Sequence, residues 1–274
     1  MRAGFKFRNK HTGDFGVTAQ TQSRPIRPET KKQIFETPYA DDDYDFSEAN
    51  MHGRKFYKSR TFKMDLKVAA DNLSALQKKL SKLAAWLMGK GDLTFDDSPL
   101  VKWDADVEDT IEYKPEHGKS AVLSVLFKVK SFAKLIFDVI EGPYLDDEIF
   151  LDDDIPIDTS SCFTFSGTGR HSHVVMNIGD APVKPVITIS GASGSVTLTC
   201  NGHKLTVGGN CIADCEHQHV TNNDGSHMEN VSGTFFELAP GENIITVSGT
   251  STIEVKYEPR YLHDADLSEV KWDE

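Results

Sequence analysis

The chain has 274 residues, 38% of them apolar and 26% charged, with 42 acidic against 30 basic side chains and a net charge of -12. That length suits one large or two ordinary domains. The acidic balance argues against sequence-specific nucleic-acid binding, because phosphate contacts need clustered Lys and Arg. No stretch approaches the ~20 apolar residues of a membrane helix. The opening residues carry charges throughout and lack the apolar core of a secretion signal, so folding in a cytoplasm, away from membranes, is expected. The cysteines Cys162, Cys200, Cys211 and Cys215 are then expected as free thiols.

In chain order, strand signals come first, at 14–22, 32–37 and 55–68, where residues alternate or are β-branched or aromatic. The stretch 52–67 is locally basic. Its Arg54, Lys55, Lys58, Arg60, Lys63 and Lys67 interleave with Phe56, Phe62 and Leu66, and are expected on a solvated strand face or an interface rim. Over 72–88, Leu73, Leu76, Leu80, Leu83 and Leu87 recur at steps of three and four and form one apolar stripe of a helix. Asp71 can cap its start, and Gly89 can end it in the left-handed conformation. Lys78, Lys79 and Lys82 cover the wet face. The helix is too short for a coiled coil, so it is predicted to pack across a sheet or a neighbouring subunit. Further strands are expected at 92–96, 102–114 and 119–131, with Ala121–Val129 pairing Trp103–Tyr113 across the turn Pro115–Gly118. Strands, one helix, then strands make an α+β first domain, over 1–140.

Residues 138–158 change character. Two acidic clusters, Asp146-Asp147-Glu148 and Asp152-Asp153-Asp154, flank Ile149-Phe150-Leu151. The glycine and closing glutamate of a calcium loop are missing, so the segment reads as a solvated linker. Short strands follow at 162–166, 172–178, 185–190, 195–200, 203–207, 211–220, 233–238, 243–248 and 251–258, with turn residues between nearly all of them. Asn201-Gly202 is the strongest hairpin signal. An all-β sandwich is expected over 141–262, and a loose acidic tail over 263–274.

Three constellations invite chemistry. Cys211, Cys215, His217 and His219 share one face of an unbroken strand, and such ligands suit tetrahedral zinc. Cys211 and His219 would then lie ~26 Å apart at ~3.3 Å per residue, so a turn or bulge is required for all four to meet one ion. The alternative is a polar hairpin with buried thiols. Cys162, with His171 and His173 nearby, is a nucleophile candidate, but buried thiols are far commoner than activated thiolates. Asp96-Asp97 and Asp41-Asp42-Asp43 offer paired carboxylates, whose usual place is a solvated turn. Of Trp86, Trp103 and Trp272, none marks a sugar platform in the second domain. No phosphate loop and no G-x-S-x-G turn is present. The sequence thus points away from an enzyme and from a resident cofactor.

The C-terminal stretch Phe235-Phe236-Glu237-Leu238-Ala239-Pro240-Gly241-Glu242-Asn243-Ile244-Ile245-Thr246-Val247-Ser248-Gly249, continued by Ile253–Tyr257 and the aromatic Tyr261, resembles the C-terminal half of distal tail proteins of long-tailed bacteriophages. Phe7-Arg8-Asn9-Lys10-His11-Thr12-Gly13-Asp14-Phe15-Gly16-Val17, Arg24-Pro25 through Pro28, Tyr44-Asp45-Phe46, and Leu73 to Lys90-Gly91 followed by Leu93–Asp97 resemble the family's first half. The resemblance covers residues 1–262. It implies an α+β ring domain and a galectin-like sandwich projecting outward. Six copies would form a ring around the tail lumen, joining the tail tube protein to the tail-associated baseplate protein, with the tape measure protein as a further partner. In some relatives the outer domain carries a receptor-binding protein. Arg54, Lys55, Arg60, Lys78, Lys79 and Lys82 are the candidate interface residues. The alternative function is a carbohydrate-binding module for host-wall glycans.

Overall fold

The structure is a computed structural model and describes residues 4–36, 38, 41–50, 53–107, 111–116, 118–137 and 161–265. The expected linker 138–158 and the tail beyond Ala265 lie outside the described residues. Two units form. One holds the described residues up to Ile136 together with Leu262–Ala265, and the other runs from Phe137 to Tyr261. The three-residue stretch His263–Ala265, expected as loose tail, is therefore part of the first unit, where Ala265 is buried.

The first unit is built on a nine-stranded antiparallel sheet. Its neighbours in order are Lys10–His11, Phe5–Phe7, Gly89–Phe95, Ser98–Val107, Ser120–Val129, Arg60–Ala69 and Thr18–Ser23. Glu112–Pro115 adds to Ser120–Val129, and Lys134–Leu135 adds to Ser98–Val107. Strict alternation makes these strands two-faced. In Arg60–Ala69 the even positions Phe62, Met64, Leu66 and Val68 are buried, while the odd Thr61, Lys63 and Lys67 are exposed. Ser120–Val129 buries Ala121, Leu123, Val125, Phe127 and Val129 in the same way. The expected neighbour Trp103–Tyr113 lines one of its edges, through Ala105 and Asp106 of Ser98–Val107 and through Glu112 and Tyr113 of Glu112–Pro115. Arg60–Ala69 pairs with all ten of its residues, and Ser98–Val107 meets it only at Lys128 and Val129. Two long strands of matched alternation form the full ladder on its other edge, while the local hairpin has four pairs, from Ala121 with Pro115 to Ser124 with Glu112.

The helix runs Leu73–Trp86. Its cap is Asn72, whose side chain accepts the Ala75 amide at 2.9 Å, rather than Asp71. Leu76, Leu80, Leu83 and Trp86 are buried, but Leu73 is 57% exposed. Helical side chains lean toward the N-terminus, so the first residue points past the cap instead of over a turn beneath it. Gly89 takes the left-handed φ of +87° expected of it. Trp86 ties the helix to the sheet. It stacks on Phe15 and Phe5 at 4.5 and 5.8 Å, and its indole N–H donates to the Phe7 carbonyl at 2.8 Å.

The second unit has two five-stranded antiparallel sheets around one core. One runs Cys162–Gly167, Ser251–Lys256, Val186–Ser190, Cys211–Asp214, His219–Asn222. The other runs Arg170–Asn177, Gly241–Ser248, Val196–Cys200, His203–Val207, Val231–Gly233. Inward residues of both sheets, among them Ile187, Ile253, Leu198 and Ile245, share one buried cluster. Asn201 and Gly202, both at positive φ, close the Val196–Cys200/His203–Val207 hairpin. The region 233–238 is strand only to Gly233, with a later bridge between Leu238 and Val183.

A buried asparagine fixes the turn just before it, at Ala239–Gly241. Asn243, 1% exposed, donates to the carbonyls of Ala239 and Gly241 and accepts from the Ala239 amide and from Asn201 Nδ2, all within 2.9 Å. Asn243→Ala strands those groups in a dry site. It is expected to cost about 2–3 kcal/mol of stability, read from the urea midpoint of the second unit.

Candidate interaction surface

Five exposed large apolar side chains of the first unit, Ile26, Ile34, Phe35, Tyr44 and Phe46, lie on an arm between Arg24 and Arg60. Two short strands, Ile34–Phe35 and Tyr44–Asp45, pair there with each other and, among the described residues, with no other strand. Phe46 contacts the rings of Phe35 and Tyr44 at 5.6 and 6.2 Å. Yet Phe35 and Tyr44 are 61% and 60% exposed, and Phe46 and Ile34 nearly half. A two-stranded hairpin is marginal alone in water, and three adjoining exposed aromatic rings are characteristic of a surface that meets a partner. Polar contacts hold the arm's backbone in place. The Gln33 amide donates to Ser47 Oγ, and the Lys31 amide to the Phe56 carbonyl. Asp45 accepts from Ser47 and from Lys55 Nζ at 3.1 Å. The Ser47 contacts, then Lys55, hold the Asp45 carboxyl down at about 2.

The arm's root is clamped by Arg60. This residue was expected on a solvated strand face, and the structure corrects that. Arg60 is even-numbered, like Phe62 and Met64, so it points inward and is 4% exposed. Its guanidinium donates to the carbonyls of Pro25, Ile26, Ser131 and Leu262 at 2.7–3.0 Å and lies 4.3 Å over Trp103. Burial pushes its pKa down to about 10, which still leaves it charged at neutral pH. Four carbonyls from three distant segments are thus satisfied by one side chain. Arg24 holds the same region. It makes a bidentate pair with Asp97 at 2.7 and 3.1 Å, contacts His263 at 3.3 Å and covers Phe95. No motif flagged Arg60, but its parity with Phe62, Met64, Leu66 and Val68 does mark it as inward-facing.

Of the other expected interface residues, Lys78 and Lys82 are exposed on the helix. Lys79 is not free. Its Nζ folds onto the carbonyls of Gly16 and Ala69 at 2.9 and 3.3 Å, because the end of Arg60–Ala69 and the turn at Gly16 both leave carbonyls within its reach. Arg54 lies over the Phe56 ring at 4.4 Å, and Lys55 pairs with Asp45; both are half-buried on the arm.

The metal candidates separate. The expected unbroken strand 211–220 is a hairpin, Cys211–Asp214 and His219–Asn222, joined by a turn. Cys211 and Cys215 enter the core, whereas His217 and His219 stand in solvent with their rings 6.2 Å apart. His217 Nδ1 contacts Asp214 at 2.7 Å, and that bond raises its pKa. Among the described residues no three His, Cys, Asp or Glu side chains gather where a metal ion would sit. The nucleophile candidate is also corrected. Burial, then a hydrogen bond to Glu254 at 3.6 Å, raises the Cys162 thiol, the opposite of activation. The adjacent acids face different partners, Asp96 with His11 and Asp97 with Arg24.

Burial also pushes Cys200 and Cys211 up to about 11 and Cys215 up to about 12. A thiol-specific reagent at neutral pH is therefore expected to leave these three unmodified in the folded chain and to reach all four thiols in denaturant. Rapid labelling of Cys211 or Cys215 in the native protein would contradict the buried hairpin.

Residues 178–261 match the family model of the siphovirus-type tail component, C-terminal domain. No curated protein matches. Among solved structures, the chain is similar to the Dit protein (gp 19.1) of phage SPP1, described as a paradigm of the hub adsorption apparatus of phages that infect Gram-positive bacteria. The TM-score is 0.61 at 14% identity, covering 94% of this chain and 98% of that one. The baseplate of phage p2 in its activated conformation with Sr gives 7% identity over 95% of this chain and 99% of that one, at a TM-score of 0.36, too low to inform the fold. Residues 178–261 thus carry a domain of the siphovirus-type tail component family, and the chain shares the fold of SPP1 Dit along nearly its whole length.

Proposed function

We infer that the chain is the distal tail hub of a long-tailed bacteriophage and has no enzymatic role. Six copies close into a ring at the far end of the tail. The ring joins the tail tube protein to the baseplate, surrounds the genome's passage and abuts the tape measure protein. The second unit projects outward as a galectin-like sandwich, on which a receptor-binding protein can dock. Assembly takes place in the host cytoplasm. The observation that carries this reading is the arm. Ile34, Phe35, Tyr44 and Phe46 expose apolar surface that a lone chain leaves in water, and a head-to-tail ring covers such a patch with a different patch of the neighbour. Arg54 and Lys55 on the arm, with Lys78 and Lys82 on the helix, provide the charged rim that sets register more than affinity.

The sugar-binding alternative gains no support, since the large apolar side chains exposed on the second unit are aliphatic among the described residues: Val174, Val186, Ile212 and Ile244. Gold-labelled antibody raised against residues 161–261 should decorate the tail tip of the virion. Label on the capsid or along the tail shaft would overturn the reading.

A further inference from the structure

Outside the arm, the exposed large apolar side chains of the first unit are, among the described residues, Leu73, Met88 and Tyr113. Two of these belong to the helix. Leu73, 57% exposed, opens it, and Met88, 71% exposed, follows its last turn. They stand roughly 22 Å apart at ~1.5 Å per residue. Between them the solvent side of the helix is low, with Ser81, Ala84 and Ala85 exposed. Lys78 and Lys82, one turn apart, flank that side. The helix carries no carboxylate. The arm has the opposite charge. Glu36, Asp41, Asp42 and Asp43 are exposed around its rings, and no base lies between residues 36 and 43. Among the described residues, neither these four acids nor Lys78 and Lys82 have a side-chain partner.

We propose that the arm of one copy docks on the outer side of this helix in the next copy. The inference rests on the ring reading and names the surface that receives the arm. The rings of Phe35, Tyr44 and Phe46 cover the low middle of the helix, where small side chains let flat rings approach closely. Leu73 and Met88 close the two ends, and the Met88 thioether suits an aromatic edge. The acids of the arm then meet Lys78 and Lys82. Apolar contact supplies the affinity, and the opposite charges fix the register and reject a misplaced arm. Both surfaces are open in the single chain, so one copy does not close them on each other. They are also different patches, so the contact runs head to tail, as a closed ring requires.

The test is the particle mass of two full-length charge variants, alone and mixed. Lys78→Glu with Lys82→Glu makes the helix acidic, like the arm. Asp41→Lys with Asp42→Lys and Asp43→Lys makes the arm basic, like the helix. Within either variant the contact sets like charges together, so each alone is expected to fall to one or two chains in light scattering. In an equimolar mixture every contact between unlike copies is complementary again. Six is an even number, so alternating copies close the ring, and the mixture should recover the wild-type mass. All five positions are exposed, and an unchanged thermal midpoint verifies folding. An arm folded on its own helix is not rescued by mixing. Wild-type mass for either variant alone overturns the proposal and leaves the ring standing, including the case in which a different protein covers the helix. A mixture that stays small overturns it as well. Failure of the ring reading looks different: the wild type itself is then a single chain, and both ideas fall.

Discussion

Arg60→Ala is expected to cost about 3–5 kcal/mol, the largest loss from any single substitution in the first unit. Four carbonyls, at Pro25, Ile26, Ser131 and Leu262, lose a charged donor together and stay dry. The cavity left against Trp103 adds to the loss. Arg60→Lys keeps the charge but replaces a rigid fork by one ammonium, which cannot reach carbonyls in several directions, so an intermediate loss is expected. Trp86 and Trp103 both lie in the first unit and are buried there, so the urea dependence of tryptophan fluorescence reports its unfolding. An unchanged midpoint for Arg60→Ala would contradict the clamp. The variant should also loosen the root of the arm, because Pro25 and Ile26 lead into it.

The second large effect is on assembly and spares folding. Phe35→Glu with Phe46→Glu puts two charges into the exposed aromatic cluster of the arm. Both rings already face water to a large extent, so the folded chain loses little and its thermal midpoint should move by no more than a few degrees. A covered interface is another matter, since each buried unpaired carboxylate costs several kcal/mol. The assembled particle is expected to fall to one or two chains of 30.4 kDa in sedimentation. Persistence of the larger particle would remove the arm from the contact.

Much of this was legible because the pattern was local. Asn201-Gly202 names its own turn, since both residues accept positive φ without cost. The Leu76–Leu80–Leu83 spacing places the helix, and the short strands after residue 160 announce a sandwich. Non-local choices were not legible. Ala121–Val129 meets its neighbour in sequence on one edge, but the ten-residue ladder on its other edge comes from a strand more than fifty residues earlier. The turn joining Cys211–Asp214 to His219–Asn222 contains no Gly, Pro or Asn. Gln218 takes the left-handed conformation at φ +56°, an uncommon residue for it, so the hairpin read as one strand. That one turn decides the fate of the metal candidates, with thiols inside and imidazoles outside. Residues 32–37 carry a strand pattern, but the exposure of the arm's rings depends on what else packs nearby, which sequence spacing does not contain.

Closure of identical copies into a ring is the claim on which the function rests, and light scattering of the purified full-length chain tests it most directly. The account predicts a particle of six or twelve times 30.4 kDa, with an open centre in negative stain. A chain that stays single at every concentration, and joins the tail only as isolated copies, would contradict it.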